Sequence, residues 1–210
     1  MKPVDCVLLA AGSSQRMGKP KLLIHIRGRT IMETSVANHA ASSLLRFVLV
    51  VVPGWIEEFG EIATRLQTER VRFLAMEKPC AISESLQAGW DRLVSNSHPD
   101  GIMISLADKP LVTAPTIDAV VQAYDEIDCD ACVPIYRGSW GHPVIVSPAL
   151  GGEIGRLRGD RGALAVLQAH RERLREVPVD SDEIVFDVDG RRDIAELESR
   201  LASRGIPGNG

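Results

Sequence analysis

A loop near the start of the chain combines small residues with basic ones. It spans Leu9 to Leu22, reads LAAGSSQRMGKPKL and directly follows an apolar run. Its candidate ligand-binding residues are Ala10, Ala11, Gly12, Ser13, Ser14, Arg16, Lys19 and Lys21. Small residues let the backbone approach a ligand closely, and consecutive N–H groups can surround an anion. Because three cations follow them, the loop suits a triphosphate. A solvated surface loop is the alternative.

Two common phosphate-binding motifs do not fit this loop. A Walker A loop has four residues between its first glycine and the Gly-Lys pair, whereas the pair here is Gly18-Lys19, one residue too far from Gly12. Pro20 also stands where Ser or Thr would hold magnesium. The loop is not G-x-G-x-x-G either, so P-loop hydrolases and dinucleotide-dependent oxidoreductases lose support.

An acid follows a second apolar run. Gly101 to Leu106 (GIMISL) precedes Ala107, Asp108, Lys109 and Pro110. A carboxylate at the end of a buried strand can hold Mg²⁺, which binds through one or two carboxylates, waters and phosphate oxygens. The alternative is that Asp108 caps a following turn or helix. Lys109 either reaches phosphates or faces solvent.

The elements that must position these residues alternate between strands and helices. The near-continuous apolar runs predict buried strands at Val4 to Ala10, Phe47 to Val52, Val71 to Leu74, Gly101 to Leu106, Ala131 to Ile135 and Pro143 to Val146. Helical spacing predicts helices at Ile31 to Leu45, Ile56 to Gln67, Ser83 to Val94, Ala114 to Tyr124, Gly162 to His170 and Asp193 to Ala202. Thr113 suits the cap and Pro115 the first turn of the fourth helix.

This alternation predicts an α/β fold with a mostly parallel central sheet and helices on both faces, a Rossmann-like three-layer sandwich. We expect one domain over residues 1–204 and a flexible Gly/Pro-rich tail at 205–210. In open α/β sheets, ligands bind beyond the carboxyl ends of the strands. The loop after the first strand and Asp108 are therefore expected at the same edge.

Composition excludes several classes of function. The net charge is −4 and aromatic residues make up 4% of the 210 residues, so we expect no nucleic-acid partner. No apolar run reaches ~18 residues and the N-terminus resembles no signal peptide, which predicts a cytoplasmic protein without a membrane span. The four cysteines are expected as free thiols, with Cys132 in a buried strand. A zinc or redox site at Cys129 and Cys132 is the less favoured interpretation.

The loop resembles a known signature. Every fixed position of L-A-A-G-x-S-x-R-M-G-x-P-K-x-L is matched in the stretch that begins at Leu9, which identifies the chain as similar to the molybdenum cofactor cytidylyltransferases and other MobA-like NTP transferases. These have a nucleotide-diphospho-sugar transferase-like fold. The resemblance implies that Gly12 and the residues after it wrap the nucleotide phosphates. It implies that Arg16 and Lys21 are catalytic, while Lys19 falls at a variable position.

The resemblance also implies a metal site. Ala107 to Pro110 is similar to the family's A-D-x-P motif, which assigns Asp108 to Mg²⁺. Residues 184–194 (IVFDVDGRRDI) resemble the family's closing D-I-D-T-P-E-D-L segment, with Gly190-Arg191 in place of Thr-Pro. The second acid of that segment, Asp189, is the expected second ligand and Asp187 the alternative. From the residues alone, Asp189 is also a candidate helix N-cap.

Three further positions follow from the same resemblance. Gly141-His142-Pro143 is similar to a tripeptide of the molybdopterin cytidylyltransferase branch, so His142 is a candidate hydrogen-bond donor to the acceptor's phosphate or pterin. Residues 159–163 (GDRGA) resemble that branch's G-D-K-G-A, which makes Asp160 a second acceptor candidate. Ser85 keeps a serine position near the nucleotide, although Ala81 stands where the family has glycine.

The expected reaction is transfer of CMP from CTP to molybdopterin, giving molybdopterin cytosine dinucleotide and pyrophosphate, with Mg²⁺ as cofactor and a molybdoenzyme as possible client. CTP is favoured because Ala10-Ala11-Gly12 resembles the cytidylyl branch. The alternatives are a guanylyltransferase, a sugar-phosphate nucleotidyltransferase, and a noncatalytic molybdopterin carrier or chaperone.

Overall fold

The structure is a computed structural model that describes residues 1–11 and 20–204, except for the side chain of Arg191. Ten strands are described: β1 Val4–Leu9, β2 His25–Ile26, β3 Arg29–Thr30, β4 Leu45–Pro53, β5 Val71–Met76, β6 Gly101–Leu106, β7 Ala131–Tyr136, β8 Ser139–Trp140, β9 Val144–Val146 and β10 Leu174–Pro178. Seven α-helices are described: α1 Ile31–Ala40, α2 Glu57–Leu66, α3 Ile82–Ser97, α4 Ala114–Glu126, α5 Gly151–Ile154, α6 Ala163–Ala169 and α7 Arg191–Ser203.

Eight of these strands form one mainly parallel sheet. Its order is β10-β7-β9-β6-β1-β4-β5, with β8 paired to β7. The pairs of β1 with β4 and β6, of β4 with β5 and of β7 with β10 are parallel, whereas β9 runs antiparallel to β6 and β7. Strands β2 and β3 form a separate hairpin. The predicted mostly parallel α/β fold is confirmed, with β9 and β8 as its antiparallel members.

Helices cover both faces of the sheet and make two apolar cores. Successive residues of β1 alternate between them: Cys6 and Leu8 face the core under α1, α2, α4 and α7, whereas Val7 and Leu9 face the core under α3, α5 and α6. Helix α3 approaches β1 closely, because a Cβ added at Gly89 would lie 2.6 Å from Val7 Cγ1. Glycine therefore sets the distance between α3 and the central strand.

The predicted elements are all present, with some shifted ends. Helix α1 ends at Ala40 rather than Leu45, because the serines at 42 and 43 bind the Asp118 carboxylate and turn the chain toward β4. Thr113 is the N-cap residue of α4, but its hydroxyl donates to Glu183 instead of capping the helix. Strand β10 was not predicted, because only Val177 of its five residues is buried and no apolar run marks it.

The four cysteines are free thiols, as expected, and Cys132 lies in buried strand β7. Its sulfur is 3.6 Å from that of Cys129. Among the described helices, none is both long and apolar enough to cross a membrane.

Candidate active site at the carboxyl edge of the sheet

The loop after β1 and the segment after β6 leave the sheet side by side. Strands β1 and β6 are parallel neighbours, with Leu9 opposite Leu106 in the register. The Ala107 N–H continues the ladder by donating to the Leu9 carbonyl at 2.9 Å. Ala10 and Ala11, two of the predicted nucleotide contacts, are buried at this edge.

Helix α1 supports the segment that carries Asp108. The Ser35 hydroxyl donates to the Ala107 carbonyl at 2.7 Å. The Asn38 amide donates to the carbonyls of Pro110 and Val112 at 2.9 and 2.8 Å. Because these bonds satisfy carbonyls on both sides of Asp108, helix α1 fixes the backbone of this residue.

Lys21 brings the two predicted metal carboxylates together. Its Nζ is 2.7 Å from Asp108 Oδ2 and 3.0 Å from Asp189 Oδ1. The Lys21 side chain is 16% exposed, that of Asp108 22% and that of Asp189 69%. Three charged residues that are distant in the sequence therefore meet at one point of the carboxyl edge.

The two carboxylates keep Lys21 charged. Burial lowers the pKa of the Lys21 ammonium, but the Asp108 charge and the hydrogen bonds to Asp108 and Asp189 outweigh that effect, so the pKa is raised. A lysine in this state is a permanent cation near neutral pH and fits a site that handles phosphates.

One oxygen of Asp108 is buried and unpaired. Asp108 Oδ1 has no hydrogen-bond partner among the described residues. A buried polar atom without a partner is rare and costs free energy, so it calls for an explanation such as a bound ion. The atom is a hard carboxylate oxygen, which is the ligand type that Mg²⁺ and Mn²⁺ prefer.

A metal ion held by Asp108 and Asp189 fits this donor set. The part of the chain that the structure describes contains no group of three or more His, Cys, Asp or Glu side chains able to hold a metal. Mg²⁺ does not need such a group, because it usually binds through one or two carboxylates and takes its other ligands from water and phosphate oxygens.

Segment 182–189 crosses the end of the sheet and delivers Asp189. The Ile184 carbonyl accepts from the His142 N–H at 3.0 Å, and the Val188 N–H donates to the Asp108 carbonyl at 3.3 Å. Gly141 allows this approach, because a Cβ there would lie 2.4 Å from the Ile184 oxygen. The turn before β9 and the end of β6 therefore fix both halves of the segment.

The helix after this segment does not begin at Asp189. Gly190 is the N-cap residue of α7. The Asp193 carboxylate accepts from the N–H groups of Asp189 and Gly190 at 2.8 and 2.7 Å. The N-cap alternative for Asp189 is therefore wrong, because Asp193 satisfies these donors and the Asp189 carboxylate bonds Lys21.

A second ion pair next to the first was not predicted. Lys109 Nζ is 2.6 Å from Asp187 Oδ1, and Lys109 is 4% exposed. The solvent-facing alternative for Lys109 is wrong, because the residue is buried, whereas its contact with phosphates stays a prediction. The opposite charges beside Asp108 and Asp189 were the only signal in the sequence, and the sequence does not show that they meet.

His142 is buried and neutral. Burial lowers its pKa to about 4, the Ile104 carbonyl acts in the opposite direction, and the nearby Lys109 charge lowers the pKa further. Its Nδ1 lies 3.3 Å from the Ile104 oxygen, so the neutral ring donates there and Nε2 is left as an acceptor. This state suits an N–H group of a ligand rather than a phosphate oxygen.

The other acceptor and nucleotide candidates lie at the start of α3. Ser85 is 2% exposed and donates to the Ile82 carbonyl at 2.9 Å. Asp160 is exposed, and the Gly159 carbonyl beside it accepts from the Ser83 N–H at 3.1 Å. The loop with Asp160 and the first turn of α3 are thus in contact.

Several predicted site residues are outside the described part of the chain: Gly12, Ser13, Ser14, Arg16 and Lys19. Of the predicted cations of the first loop, the structure therefore places Lys21. That residue lies where the prediction required, beside Asp108 and Asp189.

Comparison with known proteins gives consistent results. Residues 6–174 match the model of the MobA-like NTP transferase domain. The molybdenum cofactor cytidylyltransferase of Escherichia coli K12 is 26% identical over 201 residues, covering 95% of this chain and 98% of that protein. The purine catabolism protein PucB of Bacillus subtilis 168 is 30% identical over 168 residues, covering 78% and 80%.

Solved structures share the fold. Rv0371c from Mycobacterium tuberculosis H37Rv superposes with a TM-score of 0.79 at 25% identity over 94% of this chain and 98% of that one. Its complex with manganese superposes with a TM-score of 0.76 at 24% identity over the same shares. Since the family model covers most of the chain, this protein belongs to the MobA-like NTP transferase domain family and is a nucleotidyltransferase.

Proposed function

We propose that this protein transfers CMP from CTP to molybdopterin, forming molybdopterin cytosine dinucleotide and releasing pyrophosphate. The observation that carries the proposal is the contact of Lys21 with both Asp108 and Asp189 at the carboxyl edge of the sheet. Similarity to the E. coli cytidylyltransferase along nearly the whole chain supports the choice of substrates.

The proposed roles divide between charge neutralisation and metal binding. Lys21, together with Arg16, stabilises negative charge on the α-phosphate and on the leaving pyrophosphate. Asp108 and Asp189 hold a divalent cation, for which we propose Mg²⁺. When bound by these two carboxylates, that ion would supply neutralisation of the negative charge on the phosphates.

The reaction needs no dedicated general base on the protein. A phosphate monoester of the acceptor is already ionised near neutral pH, so it can attack the α-phosphorus directly. Catalysis then consists of alignment and preorganised charge. Lys21 is suited to this role because its raised pKa keeps the ammonium charged throughout the neutral range.

The nucleotide and acceptor are proposed to bind on either side of these charges. Ala10 and Ala11 with Gly12, Ser13 and Ser14 are proposed to contact the nucleotide, as is Ser85. For the acceptor we propose His142 and Asp160. The neutral His142 ring leaves Nε2 as an acceptor that no described residue occupies, so an N–H of the pterin is its best-matched partner.

Pyrophosphate release tests the proposal directly. Wild-type protein is assayed with each of the four NTPs and Mg²⁺, with and without molybdopterin, and the dinucleotide product is identified by mass spectrometry. We expect release only when the acceptor is present, fastest with CTP. Faster release with GTP would show that the protein prefers GTP over CTP. Binding of molybdopterin without turnover would favour a carrier of molybdopterin over a transferase acting on it.

A matched pair of lysine variants links activity to the site. Lys21→Ala removes the cation between the carboxylates, whereas Lys2→Ala makes the same change at the opposite end of the sheet. We expect Lys21→Ala to lower turnover ~10²–10³-fold. Lys2→Ala should leave turnover unchanged, and equal activity of the two variants would remove Lys21 from the mechanism.

A further inference from the structure

Lys109 is an ammonium in an unusual place. It is 4% exposed, although lysine is almost never fully buried unless it is paired. Its partner is the Asp187 carboxylate at 2.6 Å, whose side chain is 45% exposed. Burying an unpaired ammonium is costly, so Asp187 is what allows Lys109 to occupy this position.

The pair joins the two chain segments that carry the proposed metal ligands. Lys109 directly follows Asp108, and Asp187 is two residues before Asp189. Next to the ion pair, the Val188 N–H donates to the Asp108 carbonyl at 3.3 Å. Two contacts at adjacent residues therefore fix segment 182–189 against the end of β6.

These contacts fix the chain immediately before Asp189. Its side chain is 69% exposed, so the core does not enclose it, whereas the preceding Val188 is completely buried. Loss of the neighbouring ion pair would remove one of the contacts that fix the backbone presenting the Asp189 carboxylate, beside the buried Val188 and the bond from the Asp189 N–H to Asp193. The effect of Lys109 on Asp189 is thus indirect.

We propose that Lys109 is a positioning residue that, through Asp187, sets the distance between the Asp108 and Asp189 carboxylates and thereby the affinity of the site for a divalent cation. The inference rests on the metal site of the proposed function. It extends that function to Lys109 and Asp187, two charged residues beside the metal ligands. Both position those ligands, and neither touches the substrate.

The sign of one effect separates positioning from simple electrostatics. Lys109→Met removes a positive charge near a cation site, so charge alone would strengthen binding of a metal ion. Positioning predicts the opposite, because segment 182–189 loses its anchor. Partners of metal ligands typically change metal affinity 10–100-fold, and we expect Lys109→Met to weaken Mn²⁺ binding about tenfold.

Direct titration with Mn²⁺ tests the inference without any need for turnover. Free Mn²⁺ is measured by its electron paramagnetic resonance signal, first with protein alone and then with CTP present. Lys109→Met and Asp187→Asn should each weaken binding about tenfold. The double variant should be no weaker than the worse single variant, since both changes break one contact. Lys109→Arg should restore most of the affinity.

The matched control is Asp180→Asn, which removes one exposed carboxylate before the segment and should leave Mn²⁺ affinity unchanged. If Lys109→Met fails to fold, the double variant decides the question, because it removes one charge of each sign: charge alone would then leave Mn²⁺ affinity unchanged, whereas positioning predicts binding about tenfold weaker. Unchanged or tighter Mn²⁺ binding by Lys109→Met overturns the inference. So does a raised KM for CTP in Lys109→Met that Asp187→Asn does not share, because it shows direct contact with substrate.

Failure of the proposed function would look different. In that case wild-type protein binds Mn²⁺ and the variants bind it more weakly, but no NTP gives pyrophosphate with molybdopterin. That result removes the reaction and leaves the positioning role of Lys109 in place.

Discussion

The carboxylates at the two ends of the central sheet differ in how many of their oxygens are paired. At the amino end, Asp5 is completely buried and both of its oxygens are paired. Arg46 donates to them at 2.8 and 2.7 Å, and the Ser97 hydroxyl donates at 2.6 Å. At the carboxyl end, Asp108 Oδ2 binds Lys21, but Oδ1 is buried and has no partner within residues 1–11 and 20–204.

This difference distinguishes an ion pair that stabilises the fold from one that is suited to a ligand. A carboxylate whose oxygens are all bonded has no capacity left for an ion. A carboxylate with a buried, unpaired oxygen destabilises the folded protein, and a ligand that binds this oxygen removes the destabilisation. We therefore expect changes at Asp5 and Arg46 to affect stability, and changes at Asp108 to affect activity.

Asp108→Asn should give the largest effect. The amide is a poor ligand for a divalent cation, so we expect turnover to fall ~10²–10³-fold. The free energy of unfolding should change by less than about 1 kcal/mol, since Asp108 lacks the complete set of partners that Asp5 has. Pyrophosphate release and urea unfolding measure the two quantities. A loss of stability that accounts for the loss of activity would contradict the comparison.

Arg46→Met should have the reverse effect. It leaves the buried Asp5 carboxylate without its two strongest donors, which typically costs about 3 kcal/mol of unfolding free energy. Asp5→Asn should cost less, because the Arg46 side chain is 42% exposed and can turn to water. Arg92→Met is the control for loss of an exposed arginine, with an expected change below about 0.5 kcal/mol. Reduced turnover of folded Arg46→Met protein would show that the amino end is not purely structural.

The pH dependence of stability sharpens the comparison at His39, whose buried ring is fully paired. Its Nδ1 donates to the Ser35 carbonyl, and its Nε2 accepts from the Ser105 hydroxyl, each at 2.8 Å. Burial lowers its pKa from the usual 6.5 to about 4, although the Ser35 carbonyl acts in the opposite direction.

The folded pKa of His39 lies below the unfolded one, so the unfolded chain binds the proton more readily between about pH 6.5 and 4. The contribution of His39 to stability is present above that range and is lost as the pH falls. Lowering the pH from 7 to 5 removes about 2 kcal/mol of this contribution to the free energy of unfolding. The free energy of unfolding of His39→Gln, measured with urea, should therefore fall less between pH 7 and pH 5 than that of wild type. His98→Asn, at an exposed histidine, should keep the wild-type slope, and equal slopes for all three proteins would contradict the assignment.

Asn38→Ala should give the smallest effect. It removes the amide that bonds the carbonyls of Pro110 and Val112, at a cost of about 1 kcal/mol in unfolding free energy. Because those carbonyls follow Asp108, we also expect a loss of turnover smaller than that of Asp108→Asn. Asn96→Ala, at an exposed position of α3, is the matched control. Unchanged turnover of Asn38→Ala would show that this support of Asp108 is dispensable.

Regular burial made much of the fold predictable. Strand β6 was predicted with its observed ends, Gly101 and Leu106, because its apolar run is covered on both faces. The rule that ligands bind beyond the carboxyl ends of parallel strands then placed Lys21 and Asp108 together. By contrast, β10 was not predicted, because an edge strand with one buried residue carries no apolar run.

The finer details of the candidate site depend on contacts that no local pattern encodes. The pairing of Lys109 with Asp187 arises from the path of segment 182–189 across the sheet, and the neutral state of His142 arises from burial of its ring. A sequence pattern reports which residues are charged, whereas their burial and partners are properties of the folded chain. The resemblance to a family supplied Asp189, since its spacing alone also allowed a helix cap.

The contact between Lys21 and Asp189 joins residues 168 positions apart. During synthesis, the amino-terminal part of the chain emerges long before Asp189 does, and so do β1 and β6. The three charges can meet only after segment 182–189 has left the ribosome. A chain that stops before segment 182–189 therefore contains all ten described strands but lacks Asp189, so the site requires synthesis at least as far as that residue.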